Sequence, residues 1–101
     1  MASFDSPAAA ARNSIDRSSV RRKILLYLKE AGRMMTMYDI ARGTRAGYTN
    51  ATGAIAGYGR RYREEQSLLH LGLVQKTIGD RGLHVYSLTP EGRKLASTLK
   101  A

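Results

Sequence analysis

The chain contains no cysteine. Disulfides, thiolate zinc sites and thiol catalysis are therefore excluded. Histidine is scarce: His70 and His84 stand far apart, and no ligand spacing joins them into a metal site. Acidic residues are few, 8 Asp and Glu against 17 Lys and Arg, and they are scattered. No nucleophile–base pair, carboxylate pair or metal cluster for catalysis emerges, so the expectation is a protein that is not an enzyme and uses no cofactor. No apolar run approaches the roughly 18–20 residues that span a membrane. Charge follows a short alanine run instead of preceding a long apolar one, which is not a signal peptide. The expected location is the cytoplasm.

Basic charge is abundant and unevenly placed. The net charge is +9 over 101 residues. Between Arg17 and Arg63 stand eleven basic residues and two acids, Glu30 and Asp39, so the whole excess lies in that segment. A basic excess of this size in a small domain is an electrostatic footprint of nucleic-acid binding. A chain of this length forms one small domain and buries about 60–65% of its unfolded surface.

Residues 1–13 are short of large apolar side chains and rich in Ala and Ser, which predicts a disordered tail, with the folded domain spanning 14–101. A first helix is expected from Arg17 to Ala31. Asp16 or Ser18 caps it, Gly32 stops it, and Val20, Ile24, Tyr27, Leu28 and Ala31 form its apolar stripe. Arg21, Arg22, Lys23 and Lys29 lie largely off that stripe, either as a solvated face or with Arg21 or Arg22 on phosphate. A short extended piece is expected at Met34–Met35. Thr36 and Asp39 have capping-box spacing and open a brief second helix, Met37 to Thr44. Gly43 and Gly47 mark a turn, so the pattern is helix, short glycine-containing turn, helix.

The third helix is expected over about 49–63, capped by Tyr48 or Thr49. Ala51, Ile55, Tyr58 and Tyr62 fall at helical spacing and predict a core face. Asn50, Gly53, Gly57 and Arg60 fall on the opposite face, where the two glycines imply close approach of a DNA backbone or another helix. Alternatively, Gly57-Tyr58-Gly59 breaks the helix and a second piece carries Arg60 to Leu71. Leu68, Leu69 and Leu71 should bury, with His70 outward. Val74 to Ile78 and Leu83 to Leu88 read as a hairpin around Gly79-Asp80-Arg81-Gly82. Thr89-Pro90-Glu91 opens a final helix, with Leu95, Ala96 and Leu99 as its apolar ridge.

The stretch GLVQKTIGDRGLHVYSLTPEGRKLA, from Gly72 to Ala96, strongly resembles the wing and last helix of winged-helix transcriptional regulators, in wording close to the MarR, PadR and archaeal regulator groups. The segment from Gly57 to Arg63 looks like one in uncharacterised archaeal members. The resemblance covers about residues 17–99, with more residues between Thr49 and Gly72 than those families place there. It implies a mainly α fold with a small β-hairpin wing (α+β): a winged helix-turn-helix with a three-helix core, wing and C-terminal helix.

The implied function is that of a sequence-specific, double-stranded DNA-binding transcriptional regulator, nucleoid-associated and acting as a homodimer. Its third helix would lie in the major groove. Tyr48, Thr49, Asn50 and Thr52 would meet base edges, Asn50 pairing bidentately with adenine. Arg45, Arg60 and Arg61 would hold phosphates, Arg63 being the third arginine of that run. Lys76 and Arg81 would do so from the wing, on the backbone or minor groove. A protein-interaction or RNA-binding winged helix is the rival reading, favoured if Tyr58 or Tyr62 is exposed for stacking. No separate ligand domain is indicated, and regulation by a small-molecule effector at a dimer interface stays open.

Overall fold

The computed structural model describes residues 7–99. Five α-helices and a three-stranded antiparallel sheet make a mixed α+β domain. The order is α1 (Pro7–Asp16), α2 (Ser19–Ala31), β1 (Met35–Thr36), α3 (Met37–Thr44), α4 (Tyr48–Ala56), β2 (Val74–Ile78), β3 (His84–Leu88) and α5 (Pro90–Ala96).

The helix starts follow local chemistry. Ser18 Oγ accepts the Arg21 amide at 3.2 Å and opens α2. Gly32 closes it in the left-handed conformation, φ 63°. Thr36 Oγ1 accepts the Asp39 amide at 3.1 Å, and Thr89 Oγ1 accepts the Gly92 amide at 3.0 Å with Pro90 in the first turn. Each cap satisfies a donor that the helix leaves unpaired.

Two expectations need correction. Residues 1–6 of the expected tail lie outside the described residues, but from Pro7 onward the chain is helical, so the folded unit begins before residue 14. Alanine has the best helix propensity, and Ala11 and Ile15 bury against the core with few other large side chains needed. The third expected helix is also shorter. It ends at Ala56, and Gly57 turns the chain away at φ 92°. Of the four residues expected on its core face, Ala51 and Ile55 are fully buried within α4, while Tyr58 and Tyr62 belong to the loop that follows.

That loop has its own order. Tyr58 and Tyr62 pair as an isolated antiparallel bridge, the Tyr58 amide donating to the Tyr62 carbonyl at 2.8 Å. A single 3-10 turn covers Glu64–Gln66. The chain then passes back along the end of α4: the Leu68 amide donates to Ala54 at 3.0 Å and the Leu69 amide to Ile55 at 2.9 Å. The last carbonyls of α4 thereby find partners.

β3 is the central strand, in the order β1-β3-β2. Met35 faces Tyr86 across one ladder, and Val74 faces Leu88 and Ile78 faces His84 across the other. Gln75 to Ile78 are all exposed, so the hairpin projects beyond the helices that bury Val74. α2 is the hub. It packs against α1, α3, α4, α5 and β3 through Ile24, Leu25 and Leu28. Among the described residues, no helix is long and apolar enough to cross a membrane.

If α1 is part of the fold, Ile15→Ala will lower stability by about 2–4 kcal/mol, as for other buried Ile or Leu truncations. Urea unfolding measures this; a loss below about 0.5 kcal/mol, typical of surface positions, would detach α1 from the cooperative unit.

Candidate functional site

The expected site residues fall on three neighbouring pieces of chain. The first is the connection Arg45-Ala46-Gly47 and the first turns of α4. Arg45 is exposed and holds φ 59°, the left-handed region that favours glycine. Gly47 stands at the N-cap and contributes no side-chain bond, so the cap is neither Tyr48 nor Thr49. Tyr48 and Thr49 are exposed. The second piece is the loop after α4, where Arg60 and Arg61 are exposed beside the Tyr58–Tyr62 bridge. These arginines belong to a tight loop, not to a helix face. The third is the hairpin. Lys76 is exposed on β2, and Arg81 is exposed at the turn with φ 60°.

Asn50 has a different environment from the one expected. Its Nδ2 donates to the Ala46 carbonyl at 2.9 Å, and its Oδ1 accepts from the Tyr62 hydroxyl at 2.9 Å. Both ends of the amide are engaged, so the fold fixes its orientation and leaves one N–H and one lone pair for any outside partner. Thr52 is half-buried, and its Oγ1 is buried with no hydrogen-bond partner among the described residues.

The glycines of α4 are explained within the chain. A Cβ on Gly53 would collide with the Tyr62 ring, and one on Gly57 would lie 2.7 Å from Glu64 Cα. The close approach is made by the following loop, which neither DNA nor another helix was needed to supply. The same loop is tied to α1, where Ser14 Oγ donates to the Gln66 carbonyl at 2.7 Å.

Arg21 is neither solvated nor free for phosphate. It is buried, and its Nη1 donates to the Ser14 carbonyl at 3.0 Å. Burial lowers its pKa from the usual guanidinium value, and the nearby Tyr62 opposes that shift. The carbonyl end of α1 favours a cation there.

Among the described residues, ion pairs join Arg12 to Asp16 and Arg63 to Glu65; Arg45, Arg60, Arg61 and Arg81 take part in none. The Glu65 carboxyl is held below its ordinary range first by a backbone hydrogen bond, with Arg63 adding to the effect. Arg63 is thus partly neutralised, and Arg60 and Arg61 carry the loop's outward charge.

Sequence reading missed an aromatic cleft between the helices α3 and α4 and the hairpin. Tyr38 and Tyr48 stand on one wall, Leu83 and His84 on the other, and Tyr86 lies buried between them. Arg42 sits over the Tyr38 ring, 5.5 Å from its centroid. Burial pushes the Tyr86 hydroxyl pKa up, and the neighbouring Tyr48 raises it further. The signal available was Tyr38 and Tyr48, each at the start of a short helix, where a large side chain has little core to enter.

The fold and this surface define a small α+β domain with exposed arginines interleaved with aromatic rings. Within that class the chain belongs to the EarA-like family, whose model matches residues 12–99. It is 34% identical over 88 residues to an uncharacterized protein of Methanocaldococcus jannaschii, an alignment covering 86% of this chain and 78% of that protein. No solved structure matches. The relative is archaeal, as the Gly57 to Arg63 resemblance leads one to expect.

Tyr62→Phe removes the bond to Asn50 and should cost about 1 kcal/mol. Gly53→Ala should cost more than that, although alanine favours a helix by about 1 kcal/mol, because the Tyr62 ring must move. Thermal unfolding of both variants checks the order; a stabilised Gly53→Ala would mean that the ring does not rest there.

Proposed function

We propose that this chain is a sequence-specific, double-stranded DNA-binding transcriptional regulator of the winged helix-turn-helix kind. In this reading α3 and α4 are the helix-turn-helix, α4 enters the major groove, and the β2–β3 hairpin is the wing. Arg45, Arg60 and Arg61 hold phosphates around α4, while Lys76 and Arg81 do so from the wing. Tyr48 and Thr49 face the bases.

One observation carries this reading. The non-glycine residues with positive φ among those described are Arg45 and Arg81, one before α4 and one at the hairpin turn. An L-residue in this conformation costs roughly 1–2 kcal/mol, which glycine avoids. Strain retained at an exposed, unpaired cation points to a use for that cation outside the fold. Two such arginines, one on the turn before α4 and one on the hairpin turn, suit a polyanion with two backbones to grip.

The RNA-binding or protein-docking reading draws support from Tyr58, which is exposed and free to stack, whereas Tyr62 is buried. Binding to duplex DNA, duplex RNA and single strands across a salt series separates the two. Preference for duplex DNA with a steep salt slope supports the regulator; preference for RNA overturns it.

The reading includes a homodimer on a two-fold site. An apolar groove between α1 and α5, lined by Ala8, Ala11, Leu71, Leu73 and Leu95, carries both Glu91 and Lys94. Opposite charges on one short helix suit antiparallel pairing with a second copy, in a chain that is otherwise strongly basic. Sedimentation equilibrium reads the outcome.

Arg45→Gly and Arg81→Gly should each leave stability unchanged or raise it by up to about 1 kcal/mol as left-handed strain is relieved. Each should weaken binding to every duplex and lower the slope of log K against log salt by about 1. Loss of stability with unchanged DNA affinity would make these arginines structural.

A further inference from the structure

The first turns of α4 offer a duplex little hydrogen-bonding capacity from side chains. Asn50 spends both ends of its amide on Ala46 and Tyr62. Thr52 borders the aromatic cleft, yet its hydroxyl oxygen is buried. Besides the exposed Thr49 and Tyr48 hydroxyls, what remains in the open is largely carbon. The Tyr48 ring is 59% exposed on α4, and Leu83 is 56% exposed on the opposite wall. The cleft between them measures about 450 Å³. Its rim is cationic: Arg42 lies over Tyr38, and Arg81 adjoins the lining residue Gly82.

Base edges in the major groove carry donors and acceptors at nearly every position. The exception is the 5-methyl group of thymine, the apolar feature that groove displays. Setting a cytosine amino group or a guanine oxygen against an apolar wall strips its water without replacement, whereas a methyl group loses nothing there. The basic rim supplies attraction to any duplex, and the exposed carbon of Tyr48 and Leu83, within a cleft that also holds His84 and Thr36, selects within it.

We infer that this cleft reads 5-methyl groups in the major groove, thymine being the natural one, with Tyr48 as the main specificity-determining residue and Leu83 as the facing wall. The inference rests on the DNA-binding reading above. It assigns sequence preference to apolar contact, where the sequence suggested an asparagine–adenine pair.

Two pairs of synthetic duplexes test it at fixed salt. One compares alternating A·T with alternating A·U, which lacks the methyl. The other compares alternating G·C with the same polymer carrying 5-methylcytosine, which puts a methyl at the same place in the groove. The methylated member of each pair should bind about four-fold tighter per methyl contacted, the effect expected of one buried methyl-sized group. Tyr48→Ala should erase both differences while leaving the circular dichroism spectrum and the salt slope unchanged, and Tyr48→Leu should retain part of them. Equal binding within both pairs, alongside firm duplex binding, overturns this inference alone. A methyl preference that survives Tyr48→Ala overturns the role of Tyr48. Failure to bind any duplex at low salt overturns the DNA-binding reading itself.

Discussion

The Tyr62 ring occupies the space beside Gly53 that any larger residue would fill. A glycine inside a helix is unfavourable by roughly 1 kcal/mol against alanine. Here ring burial and the hydroxyl bond to Asn50 offset that penalty. The contact gives the loop after α4 a fixed direction. It joins the Tyr58–Tyr62 bridge and the Leu68 and Leu69 amide bonds to α4 in orienting the segment that carries Arg60 and Arg61. The same contact fixes the orientation of the Asn50 amide, so one interaction bears both on where charge is offered and on how that polar group is presented.

A second polar joint fastens this piece to the other end of the chain. Ser14 donates its hydroxyl to Gln66 and gives its carbonyl to Arg21. The corner between α1 and α2 and the exit of the arginine loop, distant in sequence, meet there. Arg21 Nε has no partner among the described residues. A buried cation held by carbonyl oxygen, with no carboxylate paired to it, depends on α1 being in place. The amino-terminal helix therefore completes a polar site that would otherwise be open to water.

Legibility from sequence followed signal type. α3 was readable at both ends because Thr36 and Asp39 mark its start and a glycine-bearing stretch follows its end. β2, β3 and the start of α5 were readable from strand composition, a Gly-Asp-Arg-Gly turn and a Thr-Pro pair. α1 was not, because alanine-rich segments lack the large side chains by which a buried face is recognised; Ala11 and Ile15 suffice only once α2 is present. The end of α4 was not, because Tyr58 and Tyr62 are four apart. That spacing suits one helix face and equally a bridged tight loop, and spacing alone does not separate them. For the site, charge singled out Arg45, Arg60 and Arg61, which the fold leaves exposed on the turn before α4 and the loop after it. It could not reveal that Asn50 is engaged, since its partner lies beyond the turn, nor that Arg21 is buried, since its cover is the unforeseen α1.

Among the described residues, the strand order leaves the outer edge of β2 without a neighbour. Such an edge is a template for pairing with another molecule, and natural proteins blunt it with charge, lysine above all. Lys76 stands at the middle of β2, with exposed Ile78 two residues on. Long-range repulsion between chains of net charge +9 guards the same edge in dilute salt. That repulsion fades as salt rises or as a polyanion neutralises the surface. Lys76 is then the local charge that remains on this edge, so the lysine matters most where the long-range repulsion is weakest.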